Sequence, residues 1–182
     1  IWLLISVAVS GDEVGLDVAS KVSHVLYGAF GDRMKSPEAM ASVVSEKRLG
    51  KKVGLGIYRY EQGERKEDLS LLEVFKPKAR ASDLTNEVIV RRLVYLMINE
   101  ASRCVEEKLV RNVSDIDVGM IFGTGFAPFR GGLLKYADSL GAETILSDLD
   151  IFARKYGERF KPSKLLQDYS VNQKKFYSEP VG

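Results

Sequence analysis

The sequence predicts an all-α fold made of a tandem duplicated helical module, with the first copy truncated. Three observations carry this. A block of the chain recurs: Asp12–Lys35 lies over Asp138–Lys161, 126 residues on and without a gap, with Asp12 on Asp138, Gly15 on Gly141, Gly31 on Gly157, Arg33 on Arg159 and Lys35 on Lys161. Apolar matches between these (Val14 on Leu140, Val25 on Ile151, Leu26 on Phe152, Phe30 on Tyr156) keep helical spacing, and both runs end on an aromatic residue followed by glycine. The copies are also unequal: the helical stretch Asp83–Ala137 precedes the second block, whereas only Ile1–Gly11 precedes the first.

Taken in order, Glu13–Phe30 is expected as a helix, with Val14, Val18, Val22, Val25, Leu26 and Phe30 on a 3.6-residue period, Asp12 as N-cap and Gly31 as the stop. Ser36-Pro37-Glu38 opens a second helix that ends near Arg48. Gly50–Tyr60 reads as a loop or short hairpin, because its glycines disfavour helix and its tyrosines favour extended chain. Glu61–Ala81 reads as a polar connector with one apolar patch, Leu69–Phe75, and room for one helical turn or short helix. Leu84–Leu109 is the longest predicted helix, capped by Asp83 or Thr85. Ser114 and Asp117 are placed as N-cap and capping-box partner of the next helix, which ends near Gly123. Gly125–Gly132 is a turn, and a helix follows to Leu140. Glu143–Tyr156 is the second copy of the duplicated helix, and Leu26 and Phe152 are expected in equivalent buried places. Pro162–Tyr169 is a short helix, and the tail after Ser170 is expected to fray. The domain reading is residues 1–60 for the partial first repeat, 61–82 for the connector, 83–170 for the second repeat and 171–182 for the tail.

Composition narrows the function classes. Net charge is +2 with basic and acidic residues interspersed, which argues against nucleic acid or an anionic membrane as a partner. The apolar start Ile1–Ser10 is far short of the roughly 20 residues that span a bilayer, and it lacks a basic leader region. One cysteine, Cys104, and one histidine, His24, leave no metal-ligand cluster, and a reducing cytoplasm fits. His24 has no assignable orienting partner, and its counterpart Asp150 has different chemistry.

Two glycine-containing segments hold the candidate binding residues. Lys51 and Lys52, within Gly50–Gly56, could meet an anionic group such as a nucleotide phosphate; the Walker A spacing is absent, and a tight turn with a solvated basic face is the plainer reading. Arg130, Gly131 and Gly132 could present backbone N–H groups at a helix start to an anion, against a plainer reading of close helix packing.

Several stretches together resemble a known family. Asp12–Val18, Ala29–Met34 and Arg48–Tyr58, then Met97-Ile98-Asn99-Glu100-Ala101-Ser102-Arg103-Cys104, Asp115-Ile116-Asp117 and Gly123–Gly141, resemble the C-terminal domain of 3-hydroxyacyl-CoA dehydrogenases in the family's order, over about residues 11–170. Tandem copies resemble the multifunctional fatty-acid β-oxidation enzymes. The resemblance implies a full enzyme that oxidises 3-hydroxyacyl-CoA to 3-ketoacyl-CoA with NAD. Its catalytic His and Glu belong to a Rossmann domain whose glycine fingerprint this chain lacks. The family's active-site Asn falls, in the second repeat, where Arg91 stands beside Arg92. Ala127 stands where the family often has a second Pro.

The resemblance therefore implies the helical part of such an enzyme. It would bind no cofactor itself and have no catalytic residues, and it would be inactive alone. Its implied partners are the Rossmann domain, the hydratase domain of the multifunctional forms, and acyl-CoA, with a homodimer as an open option. The alternative is a stand-alone helical module that binds acyl-CoA or a partner subunit. The truncation predicts a further consequence: Val18, Val22 and Val25 lose their covering helix, so Ile1–Ser10 folds over them or two chains pair there.

Overall fold

The computed structural model describes residues 10–75 and 85–177. The chain forms two compact units, Ile1–Asp83 and Leu84–Gly182, each with its own core.

In the first unit, residues 10–14 form a helical turn. Gly15 breaks it with φ 104° and ψ 128° and becomes the N-cap of α1 (Leu16–Phe30). Asp12 is therefore not the cap that its position suggested; it is fully buried. Gly31 (φ 62°) ends α1, and a 3-10 turn leads to Pro37 and α2 (Glu38–Ser45). The hairpin lies later than expected: β1 (Tyr58–Glu61) pairs antiparallel with β2 (Glu64–Glu67), Tyr58 opposite Glu67. Gln62 and Gly63 turn it with φ 54° and 85°, the two left-handed residues that a tight hairpin turn of matching twist needs. α3 (Leu71–Phe75) then packs on α2. Residues 61–75, read as a connector, thus carry β2, α3 and a buried ion pair: Arg48 Nη2 meets Asp68 Oδ2 at 2.6 Å, with the two side chains 4% and 7% exposed. Arg48 also donates to the Gly56 carbonyl (2.9 Å) and the Ser70 hydroxyl (3.1 Å).

The second unit is organised by α4 (Asn86–Glu106), whose cap Thr85 accepts a hydrogen bond from Val88 N–H. α5 (Val113–Thr124) starts from Asn112, whose N–H donates to Asp115; the predicted pair Ser114/Asp117 does not cap it. A 3-10 turn (Pro128–Arg130) leads to α6 (Leu133–Leu140), Gly141 to α7 (Ala142–Tyr156), and a 3-10 turn (Glu158–Phe160) to α8 (Lys164–Val171), capped by Ser163. α4 packs against α6, α7 and α8. The core joins Val94, Tyr95 and Ile98 of α4 to Leu133, Leu134, Ile145, Leu149, Phe152 and Leu166, all buried. Phe152 meets Phe160 edge-on at 5.6 Å between ring centroids.

The duplication is structural and longer than the matched block. α1 and α7 have the same length and bounds 126 residues apart, and so do α2 and α8. Their N-cap glycines share a conformation (φ 104°, ψ 128° and φ 85°, ψ 136°). Past α2 and α8, Lys47 and Gln173 both turn the chain left-handed, with φ 57° and 52°. One equivalence fails: Leu26 is 38% exposed where Phe152 is 7% exposed. Phe152 lies in a unit organised around α4, and among the described residues the first unit has no helix of that kind.

Candidate functional site

Each unit has a carboxylate that grips two consecutive backbone amides from a distant segment, fully buried in the first unit (Asp12) and half-buried in the second (Asp138). Asp12 accepts from Ile57 N–H (2.8 Å), Tyr58 N–H (2.9 Å) and the Tyr60 hydroxyl (3.1 Å). Its counterpart Asp138 accepts from Phe176 N–H (2.8 Å) and Tyr177 N–H (2.9 Å). The tail expected to fray is therefore fastened at least to Tyr177, with Phe176 buried. Burial, followed by the negative charge of Asp12 and the bond donated to it, pushes the Tyr60 phenol up to about 12. Burial and the bond to Asp117 push the Tyr177 phenol upward too. The motif Asp12-Glu13-Val14-Gly15 is visible in the sequence, but the fastening is not, because its partners lie some 40 residues away.

The candidate glycines serve these carboxylates. A Cβ on Gly50 would clash with the Asp12 carbonyl oxygen, and one on Gly56 would clash with Asp12 Oδ1. The loop Gly50–Gly56 is thus shaped around an internal anion. Lys51 and Lys52 flank it at the surface, paired to Glu13 (2.6 Å) and Asp17 (2.5 Å); the bond from Lys52 holds the Asp17 carboxyl below its usual range.

Gly132 follows the same logic, whereas a Cβ on Gly131 would meet the Lys135 side chain. The helix start they open is met by Asp117, which accepts from Leu134 N–H (2.6 Å), Lys135 N–H (3.0 Å) and the Tyr177 hydroxyl (2.8 Å). A Cβ on Gly132 would clash with the Cβ of Asp117. Asp117 itself places a negative charge at this helix start. Arg130 lies over the rings of Tyr136 (4.6 Å) and Phe129 (5.7 Å).

The remaining sequence markers have structural neighbours. Arg91, at the position of the family's Asn, contacts Glu87 and Asp148, which raises its own affinity for the proton. Arg92 stacks on Tyr156 at 3.8 Å. Asn99 is fully buried; its amide donates to the Lys161 carbonyl (2.9 Å) and accepts from Ser163 N–H (2.8 Å), pinning α4 to the turn before α8. His24 lines a shallow depression of about 260 Å³ together with Ser23, Tyr27, Lys35, Ser36 and Glu38. Cys104 is half-buried.

The described residues do not form a Rossmann arrangement. Their sheet is a two-stranded antiparallel hairpin, whereas the dinucleotide fold needs a parallel strand leading through a glycine turn into a helix. The candidate glycine turns are filled by Asp12 and Asp117. Among the described residues no cluster of three or more His, Cys, Asp or Glu could hold a metal, and no helix is long and apolar enough to cross a membrane.

Among the described residues, α1 presents a run of exposed apolar side chains. Val18, Val22, Val25, Leu26, Tyr27 and Phe30 are all exposed, Val25 to 72%. The segment predicted to cover it, Ile1–Ser10, lies outside the described residues except for Ser10.

Comparison with known proteins agrees with this architecture. Residues 6–60 and 88–178 match the family described as 3-hydroxyacyl-CoA dehydrogenase, C-terminal domain. The chain is 39% identical over 171 residues to the fatty acid oxidation complex subunit alpha of Idiomarina loihiensis, covering 91% of this chain and 24% of that protein. It thus spans about a quarter of that relative's length. Among solved structures it is similar in fold to 3-hydroxybutyryl-CoA dehydrogenase from Escherichia coli, with TM-score 0.66 and 20% identity over 91% of this chain and 51% of that one. It is also similar to the dehydrogenase part of multifunctional enzyme 1 from C. elegans, with TM-score 0.63 and 20% identity over 88% and 37% of the two chains.

Proposed function

This chain belongs to the 3-hydroxyacyl-CoA dehydrogenase C-terminal domain family, and we propose that it is the helical part of an NAD-dependent enzyme of fatty-acid β-oxidation. In that reading the full enzyme oxidises 3-hydroxyacyl-CoA to 3-ketoacyl-CoA, in the cytoplasm. NAD is held by a Rossmann domain that this chain does not contain. The helical units pack beside that domain, and a hydratase domain is a further neighbour in the multifunctional form. The observation that carries the reading is that the family match falls on both copies of the repeat, at residues 6–60 and 88–178. The internal carboxylates support it. They accept from the Ile57 and Tyr58 amides and from the Leu134 and Lys135 amides at a helix start, which favours a scaffold role.

The isolated chain is expected to show no reduction of acetoacetyl-CoA by NADH above a protein-free blank, and no heat of NAD binding by calorimetry. Turnover by the chain alone would overturn the proposed division of labour. Saturable acyl-CoA binding by the chain alone, without turnover, would favour a stand-alone binding module.

A further inference from the structure

α5 is apolar on more sides than its own unit covers. It packs on α6, its buried residue is Asp117, and Ile116, Met120 and Ile121 are half-buried. Asp115, Val118, Gly119, Phe122 and Gly123 follow one another at helical spacing and share a different face. On that face Val118 is 54% and Phe122 86% exposed. A Cβ on Gly119 or Gly123 would meet nothing within 4 Å. Internal packing therefore requires neither glycine, although both weaken the interior of a helix. The turn after α5 adds Phe129, 84% exposed, with the Arg130 guanidinium 5.7 Å from its ring centroid.

Two glycines at the middle of a helix face leave no side chain there, so a second helix can approach to the short end of interhelical distances. The two ends of this face differ in sign. Asp115 stands in the first turn of α5, and Arg130 in the turn beyond its C-terminus. Val118, Gly119, Phe122 and Gly123 between them carry no charge. Such a surface is complementary to itself when turned about a twofold axis. We infer that α5 is an interface between two copies of this chain, crossing antiparallel about Gly119. That pairing sets Asp115 of each copy opposite Gly123 of the other, toward the end where Arg130 lies, and packs Val118 and Phe122 across the axis. The area suits a weak, reversible contact. Phe122 and Phe129 offer roughly 250–400 Å² per copy. Two copies, with Val118, the glycine backbone and the charged ends added, approach the ~1,200 Å² at the low end of specific interfaces. This interface is independent of the dehydrogenase reading and of the α1 face.

Sedimentation velocity on the full chain over a concentration series tests it. The expected result is a reversible dimer with a dissociation constant of about 1–100 μM, as suits an interface of this size. Phe122→Asp should weaken the dimer by at least about tenfold, the scale of a central aromatic anchor. Val22→Asp, on the exposed face of α1, should leave it unchanged. Both side chains are exposed, so both variants should fold, which circular dichroism checks. In a Cys104→Ser background, Gly119→Cys treated with oxidised glutathione should form an interchain disulfide, because residue 119 meets its own copy at the axis. Ser139→Cys, exposed on α6, should not. Three results would overturn the inference: a chain that stays monomeric at about 200 μM, above the expected range; a dimer that Val22→Asp weakens as much as Phe122→Asp does; or a dimerising chain that forms no disulfide at residue 119.

Discussion

α1 and α7 have the same length, the same kind of N-cap glycine and a following 3-10 turn, yet the apolar face of α1 is largely exposed and that of α7 is buried. Ile145, Leu149 and Phe152 of α7 are buried in a unit built on α4; their counterparts on α1 are Ala19, Ser23 and Leu26. The difference separates two kinds of information. Backbone conformation at the helix ends is set locally, by glycines at positive φ, and it survives in both copies, as does the carboxylate that fastens a later segment. Burial needs a partner helix. The first unit also draws on a polar cluster in which Arg48 joins Asp68, Ser70 and the Gly56 carbonyl.

The largest expected effect tests the burial half of this comparison. Leu149→Ala should destabilise the second unit by about 2–5 kcal/mol, as for a fully buried leucine. Leu26→Ala should cost the first unit under about 1 kcal/mol, since much of that side chain already meets water. Denaturant unfolding followed by amide exchange in each unit measures both. Equal losses would mean that α1 is covered after all.

The second prediction sharpens the half that the copies share. Asp12→Ala and Asp138→Ala should each cost about 1–3 kcal/mol, because each leaves two backbone N–H groups without their carboxylate. Exchange of the Ile57 and Tyr58 amides in the first variant, and of Phe176 and Tyr177 in the second, should rise selectively. Loss of protection in only one copy would show that the two fastenings are not equivalent.

The smallest effect concerns pH. The hydrogen bond from Arg48 holds the Asp68 carboxyl at about 2, against a burial effect that raises it. A depressed carboxylate binds its proton less readily in the folded state, so its contribution is complete above the unfolded value of about 4 and is lost as pH falls through about 2. Acid titration should therefore weaken the first unit in that window, and Asp68→Asn should remove that part of the dependence. An unchanged acid limb in the variant would dissociate the pair from the stability of the unit.

The helices and their order were legible because periodicity, glycine stops and the repeat are local in sequence. Legible too were the long helix with its Asn99-Glu100-Ala101 motif and the all-α class. The boundaries slipped where one residue's conformation decided them: Gly15 divides the predicted Glu13–Phe30 helix, and Asn112 replaces Ser114 as the start of α5. The glycine turns and helix starts were legible, but not the carboxylates packed against them. Asp12 and Asp117 reach those turns across long stretches of chain, and no spacing rule links a carboxylate to an amide 45 residues away.

By itself, then, the sequence determined what depends on neighbours along the chain: helical class, duplication and the glycine turns. The tertiary structure decided which carboxylate fills which turn, that Arg48 and Asp68 are buried together, and that α7 is covered while the same helix in the first unit is not. Those outcomes depend on which distant segments come to lie together, and solvation and pairing energies are set only once they do.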